Sequence, residues 1–172
     1  CLVGSEMCIR DRLWAIGQAV AVDEVLDAML DDERNKLGLF PELVLYDCQA
    51  CHHGIDKMRR GRPRASTGLG PGVVRLNDSN FLMLIQALQL IDPPAAKTLR
   101  ADLKKLHQGA SEGRGDPKAI ARRIRANIKT LLPKMEKWRV DAKALRALAK
   151  NVLKDALSGE YTDYAGSEQA AM

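Results

Sequence analysis

Apolar positions recur at helical spacing along most of this chain. From Leu13 to about Leu37 the side chains of Trp14, Ile16, Val20, Val22, Val25, Leu26, Met29 and Leu30 make one broad stripe. Asp31-Asp32-Glu33 and Asn35-Lys36 form its polar end, and Gly38 is the expected stop. Leu39-Phe40-Pro41 breaks the pattern, and Glu42 to His53 reads as a turn leading into a short helix. Residues 54–76 have no period. Gly54, Gly61, Pro63, Gly68, Gly70, Pro71 and Gly72 punctuate them, which predicts a long loop.

Helical spacing then returns. Asn77 or Asp78 is the expected cap of a helix to about Ile91, with Phe81, Leu82, Leu84, Ile85, Leu88 and Ile91 apolar. Asp92-Pro93 is a cap followed by proline at the first turn, and the helix it starts runs to Gly109 with Leu99, Leu103 and Leu106 facing in. Ser111–Gly115 reads as a flexible linker. Asp116-Pro117 repeats the cap-proline device for a helix carrying Ile120, Ile124, Ile128, Leu131 and Leu132, which Pro133 is expected to disturb. Asp141 caps another, with Leu145, Leu148, Val152, Leu153 and Leu157, closed by Gly159; Asp163 is a candidate cap for a last helix. No alternating strand pattern of useful length occurs. The expected fold is all-α: irregular and helical, with one long Gly/Pro/Arg-rich loop.

The two ends qualify this picture. Cys1-Leu-Val-Gly-Ser-Glu-Met-Cys-Ile-Arg-Asp-Arg12 resembles a translated sequencing-adapter artefact, and residues 1–12 are set aside from the reading of fold and function. The helix starting near Leu13 and the abrupt Gly166-Ser-Glu-Gln-Ala-Ala-Met172 predict an internal piece of a larger protein. The organisation expected is an artefact at 1–12, a helical region at 13–110 and a truncated helical region at 111–172. The 172 residues suffice for one domain with a core. Aromatics make up only 4%, so that core must be aliphatic. The formal charge is +5, and residues 1–12 contribute nothing to it because Glu6 and Asp11 cancel Arg10 and Arg12. No run approaches the roughly 18 apolar residues of a membrane span.

The chemistry concentrates at Asp47-Cys48-Gln49-Ala50-Cys51-His52-His53. Setting residues 1–12 aside removes Cys1 and Cys8 and leaves Cys48 and Cys51 as the only cysteines. Cys-x-x-Cys-His is the attachment pattern of a c-type haem. Two thiols three positions apart share one helical turn and reach the same edge of a macrocycle. The following imidazole, His52, is then the proximal iron ligand, oriented by a bond from its other ring nitrogen. Three other readings of the pair remain open here: a zinc site lacking an evident fourth ligand, a dithiol redox pair, and two plain buried cysteines.

Around the motif, Lys57, Arg59, Arg60, Arg62 and Arg64 make the loop basic. Guanidinium forks suit haem propionates, so Arg59, Arg60 and Arg62 are candidate cofactor-binding residues; a solvated basic loop is the bland alternative. Phe40 and Tyr46 are candidates for the haem edge or ordinary core, as Trp14 and Met29 are for a pocket wall or core. Only three histidines exist. His53 adjoins His52 and does not easily reach the opposite face of the same haem. His107 ends a helix, where it either meets the last carbonyls or ligates the iron from the distal side. Met58, Met83 and Met135 are weaker ligand candidates.

Asp47-Cys-Gln-Ala-Cys-His-His53, preceded by Gly38-Leu-Phe-Pro-Glu-Leu43 and followed by Arg75-Leu-Asn-Asp-Ser-Asn80, resembles the C-terminal part of bacterial multihaem c-type cytochromes of the cytochrome c554-like family. The likeness spans about residues 13–172 and is specific at the motif. It implies thioether roles for Cys48 and Cys51 and the proximal ligand at His52. It further implies an exported, periplasmic protein, with its signal peptide in a missing N-terminal part, that passes electrons to other haem domains or redox proteins. The chain departs from that family in carrying a single haem site.

The leading expectation is therefore electron transfer through covalently bound haem c, whose iron is the redox centre. The residues name no catalytic side chain, and electron transfer is expected ahead of catalysis. An alternative is a zinc-stabilised or purely helical basic module that binds nucleic acid through Lys57 to Arg64 and through Arg122, Arg123, Arg125 and Lys129. It requires one continuous basic stripe. A further alternative is a haem enzyme with an open iron coordination position, which requires a distal pocket without a protein ligand.

Overall fold

A computed structural model of the chain describes residues 5–35, 42–48, 64, 66–70, 73–161 and 163–172. Seven helices follow one another among them: α1 (Ser5–Leu30), α2 (Asp32–Asn35), α3 (Ser79–Ile91), α4 (Pro93–Glu112), α5 (Pro117–Lys137), α6 (Ala142–Leu157) and α7 (Tyr164–Ala171). No strand occurs among the described residues; one antiparallel bridge joins Tyr46 to Leu76. The fold is all-α, as the spacing of apolar residues predicts.

The centre is α3. Its residues Phe81 through Leu88 are buried without interruption, so this helix is buried all round rather than along one stripe, with Gln86 its polar exception. It packs on α1 and α4 and, on another side, on α6 and α7, while α5 closes over α1 and α4. α1 contributes Ala15, Ala19, Val22, Leu26 and Met29 to the core, spaced by three and four. α5, from the second half of the chain, answers with Ile120, Ile124, Ile128, Leu131 and Met135. The two sequence regions thus meet in one aliphatic core.

Several boundaries differ from the sequence reading, each for a local reason. α1 stops at Leu30 rather than near Leu37 because the Asp31 carboxylate accepts the N–H groups of Glu33 at 2.9 Å and Arg34 at 3.4 Å. That starts a new short helix in competition with the old one. At its other end α1 begins at Ser5, ahead of Leu13. The stripe is also narrower than expected, because Val20 is 47% exposed. α4 continues through Ser111 and Glu112 and ends on Gly113, whose φ of 67° is the left-handed conformation that glycine tolerates. Pro133 does not break α5. It sits on the exposed side, so the carbonyl its missing N–H would have bonded belongs to exposed Lys129 and can reach water.

The cap signals are accurate. Asp92, Asp116, Asp141 and Asp163 each accept a backbone N–H three residues on, from Ala95, Ala119, Ala144 and Gly166. Asp78 is the exception. It occupies the N-cap position of α3 without bonding its backbone, and Asn77 Oδ1 takes the N–H of Ser79 instead.

Candidate functional site

Of the motif, Cys48 lies within the described residues. Cys51, His52 and His53 lie outside them, as do Arg59, Arg60 and Arg62, and also Phe40, Lys57 and Met58. Cys48 is exposed and carries a free thiol. It follows a short stem, a 3₁₀ turn over Leu43–Leu45 and then Tyr46 and Asp47.

That stem is tied to the segment entering α3. The Asp47 N–H donates to Arg75 O at 2.9 Å, and the Asn77 N–H donates to Leu45 O at 2.9 Å. The Tyr46 hydroxyl donates to Ala110 O at 3.0 Å, near the end of α4. Burial of the phenol pushes its pKa up. Tyr46 packs against the main core.

The chain re-enters the described residues at Arg64, which the sequence put in the basic run of the loop, beside a haem propionate or solvated. Its guanidinium is fully buried, and the sequence could not reveal this because every partner is remote in the chain. Nη2 donates to both Asp78 oxygens, at 2.8 and 2.7 Å, and Nη1 donates to Glu160 O at 3.0 Å. Asp163 Oδ2 lies 3.7 Å from Arg64 Nη1 and 3.1 Å from Arg75 Nη2. Arg75 Nη2 in turn donates to Asp47 Oδ2 at 2.7 Å. One network therefore runs Asp47–Arg75–Asp163–Arg64–Asp78, joining the residue before Cys48 to the residue after the loop.

His107 closes its far end. Nε2 is 2.9 Å from Asp78 Oδ2, so the imidazole serves this carboxylate and not the last carbonyls of α4. Nδ1 is buried and has no hydrogen-bond partner. Burial alone would raise the pKa of Asp78. The hydrogen bond from His107 and the charge and hydrogen bonds of Arg64 outweigh it and hold Asp78 at about 2. Burial likewise works against the charge of Arg64, and Asp78, Asp163 and Glu160 more than restore it.

The other candidates are fillers of the core. Met83, Met135 and Met29 are buried among aliphatic side chains, and Trp14 packs on the same core from its edge. The basic residues of α5 do not make a free stripe. Arg123 pairs with Asp102 at 2.6 Å, and Arg125 is gripped by Asp23 and Asp27; Arg122 and Lys129 are exposed. Among the described residues no three His, Cys, Asp or Glu side chains gather as a metal-binding group, and no helix is long and apolar enough to cross a membrane.

No family model matches the sequence, and neither a curated protein nor a solved structure matches it.

Proposed function

We propose that this chain is an electron-transfer module carrying one covalently bound haem c, part of a larger periplasmic multihaem cytochrome. One observation carries the reading: Cys48, the first residue of Cys48-x-x-Cys51-His52, presents an exposed free thiol on a stem bonded to the helical body. An attachment cysteine needs both features, an accessible sulfur and a fixed base. When bound, the group supplies an iron that changes oxidation state by one electron.

The remaining roles belong to the chain. Cys48 and Cys51 would hold the macrocycle, and His52 would bind the iron. Arg59, Arg60 and Arg62 offer forks for the propionates. Arg64 is withdrawn from that task, since Asp78 and Glu160 occupy its guanidinium. His107 would be a further candidate iron ligand: Asp78 holds Nε2, which would leave the buried, unpartnered Nδ1 to bind metal. Partners are other haem domains or redox proteins. Of the basic residues named for a nucleic-acid module, Arg64, Arg123 and Arg125 are each paired with carboxylates, while Arg122 and Lys129 are exposed.

The test is a pyridine haemochrome spectrum of the protein, produced in a host that matures c-type cytochromes. The expected outcome is a c-type band that survives acid-acetone extraction and disappears in Cys48→Ser/Cys51→Ser. Absence of covalent haem under competent maturation would remove the reading. Zinc in place of haem would move the weight to a metal-stabilised module.

A further inference from the structure

α6 and α7 both pack on α3 but not closely on each other. Between them lies an open groove of about 420 Å³. Val152, Ala156, Tyr161 and Ala170 line it, and Leu153 stands exposed at its rim. Side chains four positions apart on α6 fall into rows beside this groove. Ala149, Leu153 and Leu157 make an exposed apolar row. Arg146, Lys150 and Lys154 make an exposed basic row along its flank.

The basic row is unspent. Among the described residues none of these three cations is in an ion pair, whereas Arg100, Arg123, Arg125 and Lys134 on the other helices each hold a carboxylate. Asp155, the one acid within α6, turns inward, where its Oδ2 accepts Gln86 Nε2 at 2.6 Å and Arg100 Nη2 at 3.2 Å. Glu168, the acid of α7, does not line the groove. The face is therefore apolar and concave, with a positive flank and no carboxylate to answer it.

We propose that this face of α6 and α7 docks an amphipathic helix of a partner protein, with large apolar side chains toward the groove and carboxylates along the flank that meets Arg146, Lys150 and Lys154. The proposal does not depend on the haem reading. Shape and charge together select this occupant. A helix ridge with anchors spaced by three and four fills a trough between two helices. A planar anionic lipid surface would meet Leu153 and Leu157 and leave the trough empty. In a two-fold dimer the same patch faces itself, and this patch offers cations without acids to pair with them. The apolar anchors would carry the affinity, and the flanking charges would set orientation and choice of partner.

The test is selection of a displayed library of helical peptides, about 18 residues long, on the whole chain, with apolar and flanking positions randomised. The selected peptides are expected to carry apolar residues spaced by three and four and Asp or Glu along one flank. They should bind Lys150→Glu/Lys154→Glu roughly tenfold or more weakly, with the loss recovered by peptides whose flank is lysine. Leu153→Ser should weaken both kinds of peptide. Amide shifts at Val152, Ala156 and Ala170 should place the bound helix in the groove. All three substitutions fall on exposed positions, so circular dichroism should match the parent.

Selection of peptides with no acidic flank, or affinity that survives the charge reversal, would overturn the proposal. So would binding of phosphatidylglycerol vesicles through Leu153 with no helix selected, which would assign the face to a lipid surface. A dimer in sedimentation that Leu153→Ser dissolves would overturn it in favour of self-association.

Discussion

α3 and α6 begin alike and end differently. Each follows an aspartate and each carries leucines at helical spacing. Yet α3 is buried from Phe81 through Leu88, whereas α6 buries no residue and leaves Leu153 59% and Leu157 81% exposed. What differs is the number of neighbours. α3 is surrounded by α1, α4, α6 and α7, while α6 rests mainly on α3. Periodicity says which face of a helix would be buried; it does not say whether anything covers that face. The aspartates differ in the same sense. Asp141 caps α6 through Ala144 N–H, whereas Asp78 abandons its helix for Arg64 and His107.

Substitution of the two aspartates should separate these cases most widely. Asp78→Asn removes the nearer carboxylate of buried Arg64 and leaves it only Asp163 at 3.7 Å, an expected loss of about 3–5 kcal/mol in urea unfolding. Next comes the core. Leu88→Ala should cost about 2–5 kcal/mol, against less than about 0.5 kcal/mol for Leu157→Ala, since only the first leaves a cavity. A comparable cost at both leucines would erase the distinction between the helices.

Acid should weaken the α3 end by a smaller amount. The folded pKa of Asp78 is lowered from 3.8 to about 2. Its contribution is therefore present in full above the ordinary carboxylate range and is lost as pH falls from about 4 towards 2. The expected size is on the order of 2 kcal/mol, read as the difference between parent and Asp78→Asn in unfolding series across that interval. The smallest effect is at the caps: Asp141→Ala should cost about 1 kcal/mol, seen as faster amide exchange in the first turn of α6 with α3 unaffected.

The parts legible in the sequence are those set by neighbours within a few positions. Asp92-Pro93 and Asp116-Pro117 mark the starts of α4 and α5 because a cap acts over three residues. Leu99, Leu103 and Leu106 reveal their face by spacing alone. The network at the candidate site was not legible. Arg64 sits in a run of basic residues and reads as one more cation for a propionate or for solvent, yet its partners stand 14, 96 and 99 positions away. By sequence His107 reads as a helix-end residue or a ligand, while its bond to Asp78 spans 29 positions. Charge pairing over such separations leaves no periodic trace. Asp31 failed for the opposite reason: its capping bond is local, but a polar residue after an apolar stripe also suits a solvated helix end.

Anchoring Asp47 and Arg64 to the same short stretch has a consequence for how this chain tolerates change. Asp47 depends on Arg75 and Arg64 depends on Asp78, so both anchors read their position from one four-residue ruler. An insertion between Arg75 and Asp78 would pull the two anchors out of register.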